Sequence, residues 1–318
     1  ISVKGVTMTV CIGYLLPTRE SVMEGHHAAA PLLKLAEKAE DLGYDSVWVG
    51  DSLLARPRHE PLTLLAGVAG RTTNIALGTA ILLPALRNPV VMAHQISTLD
   101  QVSDGRTIIG VGIATDQENI RNEFMAAGVP FEKRVGRMLE GLRLCRALWS
   151  GDAVDWNGRW TVKQGVLGPL PVQKNGPPIW IGGGAEANIK RVGEEFDGWF
   201  PITPDAKIIK SNWQQMQTRA KQSGRDVKAI TCAAYLTLSI DENSEKAQDR
   251  ADQFLSSYYG ARPDVLKKIQ ACYAGPLEGA VQYLQSFKNA GATHLVLRFA
   301  GDHENHLDLM SKIRERLK

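Results

Sequence analysis

From residue 9 to residue 317 the chain alternates between short apolar runs and amphipathic ones, and this alternation constrains the fold more than any other feature. The apolar runs are TVCIGYLL (9–16), SVWVGD (46–51), IALGTAILL (75–83), TIIGVGIA (107–114), PIWIGG (178–183), GWFPI (198–202), ITCAAYLTLSI (230–240) and HLVLRFA (294–300). Segments with helical periodicity lie between them. PLLKLAEKAEDLGY (31–44) puts Leu32, Leu35, Ala36, Ala39 and Leu42 on one face, with Pro31 at a favoured first position and Gly43 at a favoured stop. NPVVMAHQISTLDQVSDG (88–105) has Asn88 as its cap, Pro89 in its first turn and Gly105 as its stop. Further helices are expected near 60–70, 132–150, 185–196, 205–223 and 303–317, with helical sequence throughout 244–290. Strands that read as unbroken apolar runs are buried on both faces, as in a parallel sheet covered by helices. Eight of them, each followed by a helix, predict an α/β fold, a (β/α)8 TIM barrel in a single domain over 1–318. A doubly wound sheet is the competing arrangement, and it usually has fewer strands.

Residues 151–176, with Trp156, Trp160 and several glycines, interrupt the alternation. They read as an insertion carrying a small hairpin rather than as a domain boundary. The 318 residues exceed the ~250 of a typical barrel and leave room for such an excursion. A net charge of +3, with no basic run interleaved with aromatics, argues against a nucleic-acid partner. Cys11, Cys145, Cys232 and Cys272 are scattered without metal or disulfide spacing, which fits a reducing, cytoplasmic setting. No segment reads as a signal peptide or a membrane span.

In a barrel the chemistry lies at the C-terminal ends of the strands. One of these ends is unusual. PPIWIGGGAEANIKR (177–191) runs from a strand through Gly182, Gly183 and Gly184 directly into a helix. Three glycines are costly to order, so a bare backbone should be needed there. Bare amides at a helix N-terminus can receive a phosphate or another anion. A tight turn that binds nothing is the alternative. No lysine follows as in a nucleotide-hydrolysing P-loop. GVGIA (110–114) lacks the third glycine of a dinucleotide fingerprint. No expected strand end carries the lysine that a Schiff-base aldolase would need.

Four blocks taken together carry a family likeness over about residues 8–300: GYDSVWVGDS (43–52), LGTAILLPALRNPVVMAHQISTLDQVSDGRTIIGVGIA (77–114), KRVGRMLEGLRLCRALWSG (133–151) and PPIWIGGGAEANIKRVGEEFDGWFP (177–201). On these blocks the chain resembles the luciferase-like flavin-dependent oxidoreductases, (β/α)8 proteins that include bacterial luciferase, alkanesulfonate monooxygenases and enzymes using the deazaflavin coenzyme F420. The resemblance implies that Gly182, Gly183, Gly184 and Ala185 receive the cofactor phosphate. It also implies a non-proline cis peptide at Ala80–Ile81 supporting the ring, with Gly112 and Ile113 nearby at the end of the fourth strand. Its first functional implication is a monooxygenase using reduced FMN and O2 on a small organic substrate, supplied by a separate flavin reductase. The alternative is F420-dependent hydride transfer, and a further one is a non-catalytic flavin-binding protein. Several F420-dependent members carry Asp-His at the end of the second strand. This chain has Asp51-Ser52, which places the FMN reading first. Bacterial luciferase has a phosphate-contacting arginine where Ile113 stands here.

Asp51, Ser52 and His59 are the candidate catalytic residues, since they end the second strand or lie in the loop after it. Arg56, Arg58, Trp199 and Arg298 are candidates for contact with substrate. Each has a structural alternative: Asp51 as an ion-pair partner of nearby arginines, Trp199 as core, Arg298 as the partner of a barrel carboxylate. Asp100, Asp104 and Arg106 look structural. His303 and His306, three apart, read as an exposed helix face rather than a metal site. The small residues of PLTLLAGVAGRTT (61–73), together with 88–105, suggest a homodimer interface.

Overall fold

The computed structural model describes residues 10–317. Residue 9, where the first expected strand begins, lies outside the described residues. In chain order the strands are β1 Cys11–Leu15, β2 Ser46–Val49, β3 Ala76–Thr79, β4 Thr107–Val111, β5 Val154–Asn157, β6 Thr161–Gly165, β7 Ile179–Gly182, β8 Gly198–Phe200, β9 Thr231–Ile240, β10 Ala271–Gly275 and β11 His294–Phe299. Eight of them, β1, β2, β3, β4, β7, β8, β9 and β11, pair in that order, and the pairing returns from β11 to β1. This is the expected parallel (β/α)8 barrel. The insertion holds the expected hairpin, with β5 antiparallel to β6.

One expected helical stretch is broken. Residues 244–290 are not helical throughout: helices Ser244–Tyr259 and Leu277–Asn289 flank strand β10. The reason lies in β9, which is ten residues long. β8 pairs with it only at Gly198↔Thr231 and Trp199↔Cys232. The edge beyond would be left open, and β10 occupies it from Ala271↔Leu236 to Gly275↔Ile240. An unpaired strand edge leaves backbone groups unsatisfied, and this requirement outweighs the helical pattern of the sequence.

The contacts sort into two compact units. One comprises residues 10–15, 38–47 and 180–317, and the other residues 16–37 and 48–179. In the first, Tyr14 stacks on Phe299 with ring centres 5.4 Å apart, and its hydroxyl meets His303 Nδ1 at 2.9 Å. His306 is fully buried, contrary to the exposed face expected for it. Its Nε2 accepts the backbone N–H of Ile240 at 2.9 Å, so Nδ1 carries the proton and donates to the Asp302 carbonyl at 2.8 Å. In the second unit, Trp48 fills the space that Gly78 leaves by having no side chain. Arg106 donates to the carbonyls of Ala69, Thr72, Ile75 and Ser103, tying the end of one helix to the start of the next strand. Asp100 is buried and accepts both the backbone N–H and the side-chain amide of Gln173, pinning the insertion to helix Pro89–Val102. Arg106 and Asp100 thus play the structural parts expected of them.

Candidate functional site

The glycine loop joins β7 to helix Glu186–Glu194. Ala185 occupies the cap position, and no side chain caps the helix. Residues 183–187 are all exposed, at the helix end whose first amides have no partner within the helix. Gly183 has φ +92°, a conformation that side chains rarely adopt, whereas a Cβ at Gly184 would meet only open space. Two residues hold this loop. Asn188 donates its amide to the Gly182 carbonyl at 2.9 Å, and its Oδ1 accepts from Arg191 at 2.7 Å. Trp199 donates its indole N–H to the Gly183 carbonyl at 2.9 Å. With its carbonyls held by these donors and the first helix amides left without a partner within the helix, the loop has the arrangement that an anion requires. Asn188 could have been noticed in the sequence as a polar residue on the buried side of its helix.

Trp199 is fully buried, so it braces the glycine loop instead of lining a substrate pocket. Arg298 is also fully buried. Its guanidinium donates to Thr237 Oγ1, Tyr259 Oη and Gln270 Oε1 at 2.7–3.1 Å. The rings of Tyr235, Phe254, Tyr258 and Tyr259 surround it at 4.9–5.3 Å. Burial opposes its charge, yet the tyrosines around it raise its pKa well above the ordinary value. The structure therefore places Arg298 in an aromatic box, not at an open site, with its guanidinium donating to neutral oxygens rather than to a carboxylate. Cation–π contacts and neutral acceptors explain how the sequence can bury it.

The other candidates gather around the ends of β2, β3 and β4. The Asp51 side chain is only 4% exposed and forms a bidentate pair with Arg87, at 2.5 and 3.1 Å. It also accepts the Leu83 N–H at 2.8 Å. Arg87 reaches Glu60 as well, at 3.1 Å. Burial opposes the charge on Arg87, but the two carboxylates raise its pKa above normal. Asp51 is thus an ion-pair partner, to an arginine outside the adjacent loop, and it fixes the chain that follows β3. A cis peptide joins Ala80 to Ile81, as expected. The Ile81 side chain lies over Gly112, where a Cβ would collide with it. The Ile113 carbonyl accepts from Arg134 Nε at 3.0 Å.

The Ser52 hydroxyl donates to Glu123 Oε2 at 2.8 Å and accepts from the Arg56 N–H at 2.9 Å. The same Glu123 oxygen accepts the N–H groups of Leu54 and Ala55, at 2.6 and 2.7 Å. Glu123 is 1% exposed, and the sequence reading missed it because its partners lie about seventy positions earlier. Arg56 donates to Gln117 Oε1 at 3.0 Å. Arg58 donates its Nε to the Arg56 carbonyl at 3.1 Å, and its guanidinium occupies the space that a Cβ on Gly50 would need. His59 Nε2 lies 3.0 Å from the His27 carbonyl, which can only accept, so in the neutral ring Nδ1 holds the lone pair. That Nδ1 is buried and has no hydrogen-bond partner. Of the three catalytic candidates, Asp51 and Ser52 are engaged in holding loops, and His59 retains an unengaged basic atom. Among the described residues no cluster of His, Cys, Asp and Glu could hold a metal ion, and no helix is long and apolar enough to cross a membrane.

A family model described as luciferase-like monooxygenase matches residues 10–312. An F420-dependent glucose-6-phosphate dehydrogenase of Mycobacterium avium (strain 104) is 36% identical over 314 residues, covering 90% of this chain and 93% of that protein. A 5,10-methylenetetrahydromethanopterin reductase of Methanolobus tindarius is 29% identical over 239 residues, 74% of this chain and 70% of that one. Among solved structures, an F420-dependent secondary alcohol dehydrogenase in complex with an F420-acetone adduct superposes with a TM-score of 0.84 at 20% identity, covering 98% of this chain and all of that one. A long-chain alkane monooxygenase (LadA) superposes at 0.80 with 15% identity, over 98% and 92%. These last two likenesses speak to the fold.

Proposed function

The chain belongs to the luciferase-like monooxygenase family and is an oxidoreductase of that type, and from this premise we propose that it transfers hydride between coenzyme F420 and a small hydroxylated substrate. The observation that carries this reading is the similarity, at 36% identity along nine-tenths of the chain, to an F420-dependent dehydrogenase. It reverses the order in which the sequence alone ranked the alternatives. Asp51-Ser52 in place of Asp-His weighs less than this likeness, because His59 in the same loop keeps a basic nitrogen unengaged.

On this reading Gly182, Gly183, Gly184 and Ala185 receive the cofactor phosphate on their backbone amides. The residues at the ends of β2, β3 and β4 face the ring: Gly50, Ala80, Ile81, Gly112 and Ile113. When bound, the cofactor accepts or gives the hydride. The protein's own task is the proton. As an alcohol loses hydride, its hydroxyl proton must be taken up by the protein, and His59 is the base that the loop after β2 offers for it, with Nε2–H held on the His27 carbonyl. Asp51 and Arg87 keep the segment after β3 in place while this occurs. The runner-up is monooxygenation with reduced FMN delivered by a separate reductase, supported by the fold shared with the alkane monooxygenase.

The test is a titration of the purified protein with F420 and with FMN, followed by anaerobic incubation of the F420 form with a panel of alcohols and sugar phosphates. Loss of the F420 absorbance with one of them is the expected result. Oxygen uptake with reduced FMN that depends on an organic substrate would favour the runner-up instead.

We also propose a homodimer through the helices at 61–73 and 88–105. Val91 and Val102 are exposed there, and a groove of about 290 Å³ runs between Leu62, Ala66, His94 and Val102. Gly67 does not point into this groove, since its free side faces Leu33 of helix Ala30–Asp41.

A further inference from the structure

We propose that Arg58 is the residue that stabilises the negative charge of the reduced cofactor ring, and that Glu123 is the positioning residue that delivers it. This rests on the cofactor reading above. The observations all come from one compact unit of the structure. The loop after β2 turns back on itself because a single carboxylate oxygen of Glu123 accepts from Ser52 Oγ, Leu54 N and Ala55 N, at 2.6–2.8 Å. Three donors on one oxygen of a buried carboxylate define one loop conformation, since a buried acceptor stripped of its donors is left unsatisfied. From that fixed turn the chain continues to Arg58, whose Nε is anchored on the Arg56 carbonyl.

The guanidinium then comes to rest in a place that the backbone leaves open for it. A side chain at Gly50 would collide with Arg58 Nη1, and the same position is 3.5 Å from the Ala80 carbonyl. Gly50 and Ala80 directly follow β2 and β3, at the end of the strands where barrel enzymes place their chemistry. Arg58 is half-buried, where a charge acts more strongly than in open water. A two-electron reduction loads negative charge onto the pyrimidine edge of a flavin or deazaflavin, and a fixed guanidinium is a group that tunes such a ring.

The test compares wild type with Arg58→Met and Arg58→Lys by titrating each with oxidised and with reduced F420 under anaerobic conditions. Circular dichroism verifies that each variant is folded. Arg58→Met should bind oxidised F420 within about twofold of wild type and reduced F420 at least tenfold more weakly, a change of about 30 mV in the potential of the bound two-electron couple. Arg58→Lys, which keeps the charge, should recover most of the difference. Equal weakening of both forms, or no weakening of either, overturns the proposal and makes Arg58 a structural or substrate-side residue. A folded wild type that binds neither F420 nor FMN overturns the cofactor reading and this proposal with it. Wild-type binding with an unchanged ratio in Arg58→Met overturns this proposal alone.

Discussion

The indole N–H of Trp199 donates to the carbonyl of Gly183 at 2.9 Å, from a ring that is completely buried. A residue at the end of β8 thereby sets the direction of a peptide at the end of β7. Trp199→Phe keeps the buried ring and removes the donor. We expect it to lose about 1 kcal/mol of stability and about three- to tenfold in cofactor affinity. Thermal melting and a binding titration check the two effects separately.

Gly184→Asp is the cleaner probe of the phosphate assignment. A Cβ there meets nothing within 4 Å, so the fold should be retained, whereas Gly183→Asp would also strain a residue at φ +92°. The added carboxylate repels a phosphate at the helix N-terminus. Cofactor affinity should fall at least tenfold with an unchanged melting temperature. Wild-type affinity in this variant would remove the phosphate from Gly182–Gly184.

Glu123→Ala leaves the Ser52 hydroxyl and the Leu54 and Ala55 amides without their acceptor. The expected cost is on the order of 2–3 kcal/mol in a denaturant titration. Glu123→Gln, which keeps one carbonyl oxygen, should cost less. If Glu123 positions Arg58, both variants should lose affinity for the reduced cofactor more than for the oxidised one. A stability loss with an unchanged ratio would limit Glu123 to the fold.

Acid should weaken the fold through its enclosed histidines. Burial pushes the pKa of His294 down to about 3, and burial lowers that of His306 as well. The unfolded chain binds these protons near pH 6.5, and the folded one resists them. Their contribution is therefore complete above about pH 6.5 and is lost progressively as pH falls toward the folded values. His294, packed against Trp180 and 2.7 Å from Ser46 Oγ, should give a slope of up to about 1.4 kcal/mol per pH unit. Denaturant titrations at pH 7.5 and 5 should show this loss, and His294→Gln should flatten the dependence.

Ala66→Glu tests the proposed dimer. Ala66 and Val102 line the groove between the two helices, and a buried glutamate facing its own copy would repel it. Light scattering at micromolar concentration should give a dimer for wild type and a monomer for the variant. A monomeric wild type, or a dimer indifferent to Ala66→Glu, would refute the interface.

The sequence by itself determined the elements and their order. Unbroken apolar runs such as SVWV and IWIG can only be buried on both faces, and the helices between them carry their own caps at Asn88 and Asp205. These are local signals, read from residues a few positions apart, and they suffice for an eight-stranded barrel and for the glycine loop. The family likeness adds the Ala80–Ile81 cis peptide, which no periodicity encodes. Tertiary structure alone decided the partnerships. Asp51 meets Arg87 thirty-six positions away, Glu123 holds a loop about seventy positions back, and the rings of helix Ser244–Tyr259 enclose Arg298. β10 exists because β9 outruns β8 and leaves an edge to be paired. In each case the residue type shows that a charge or a backbone group needs a partner, but only the folded chain, by bringing distant segments together, decides which partner satisfies it.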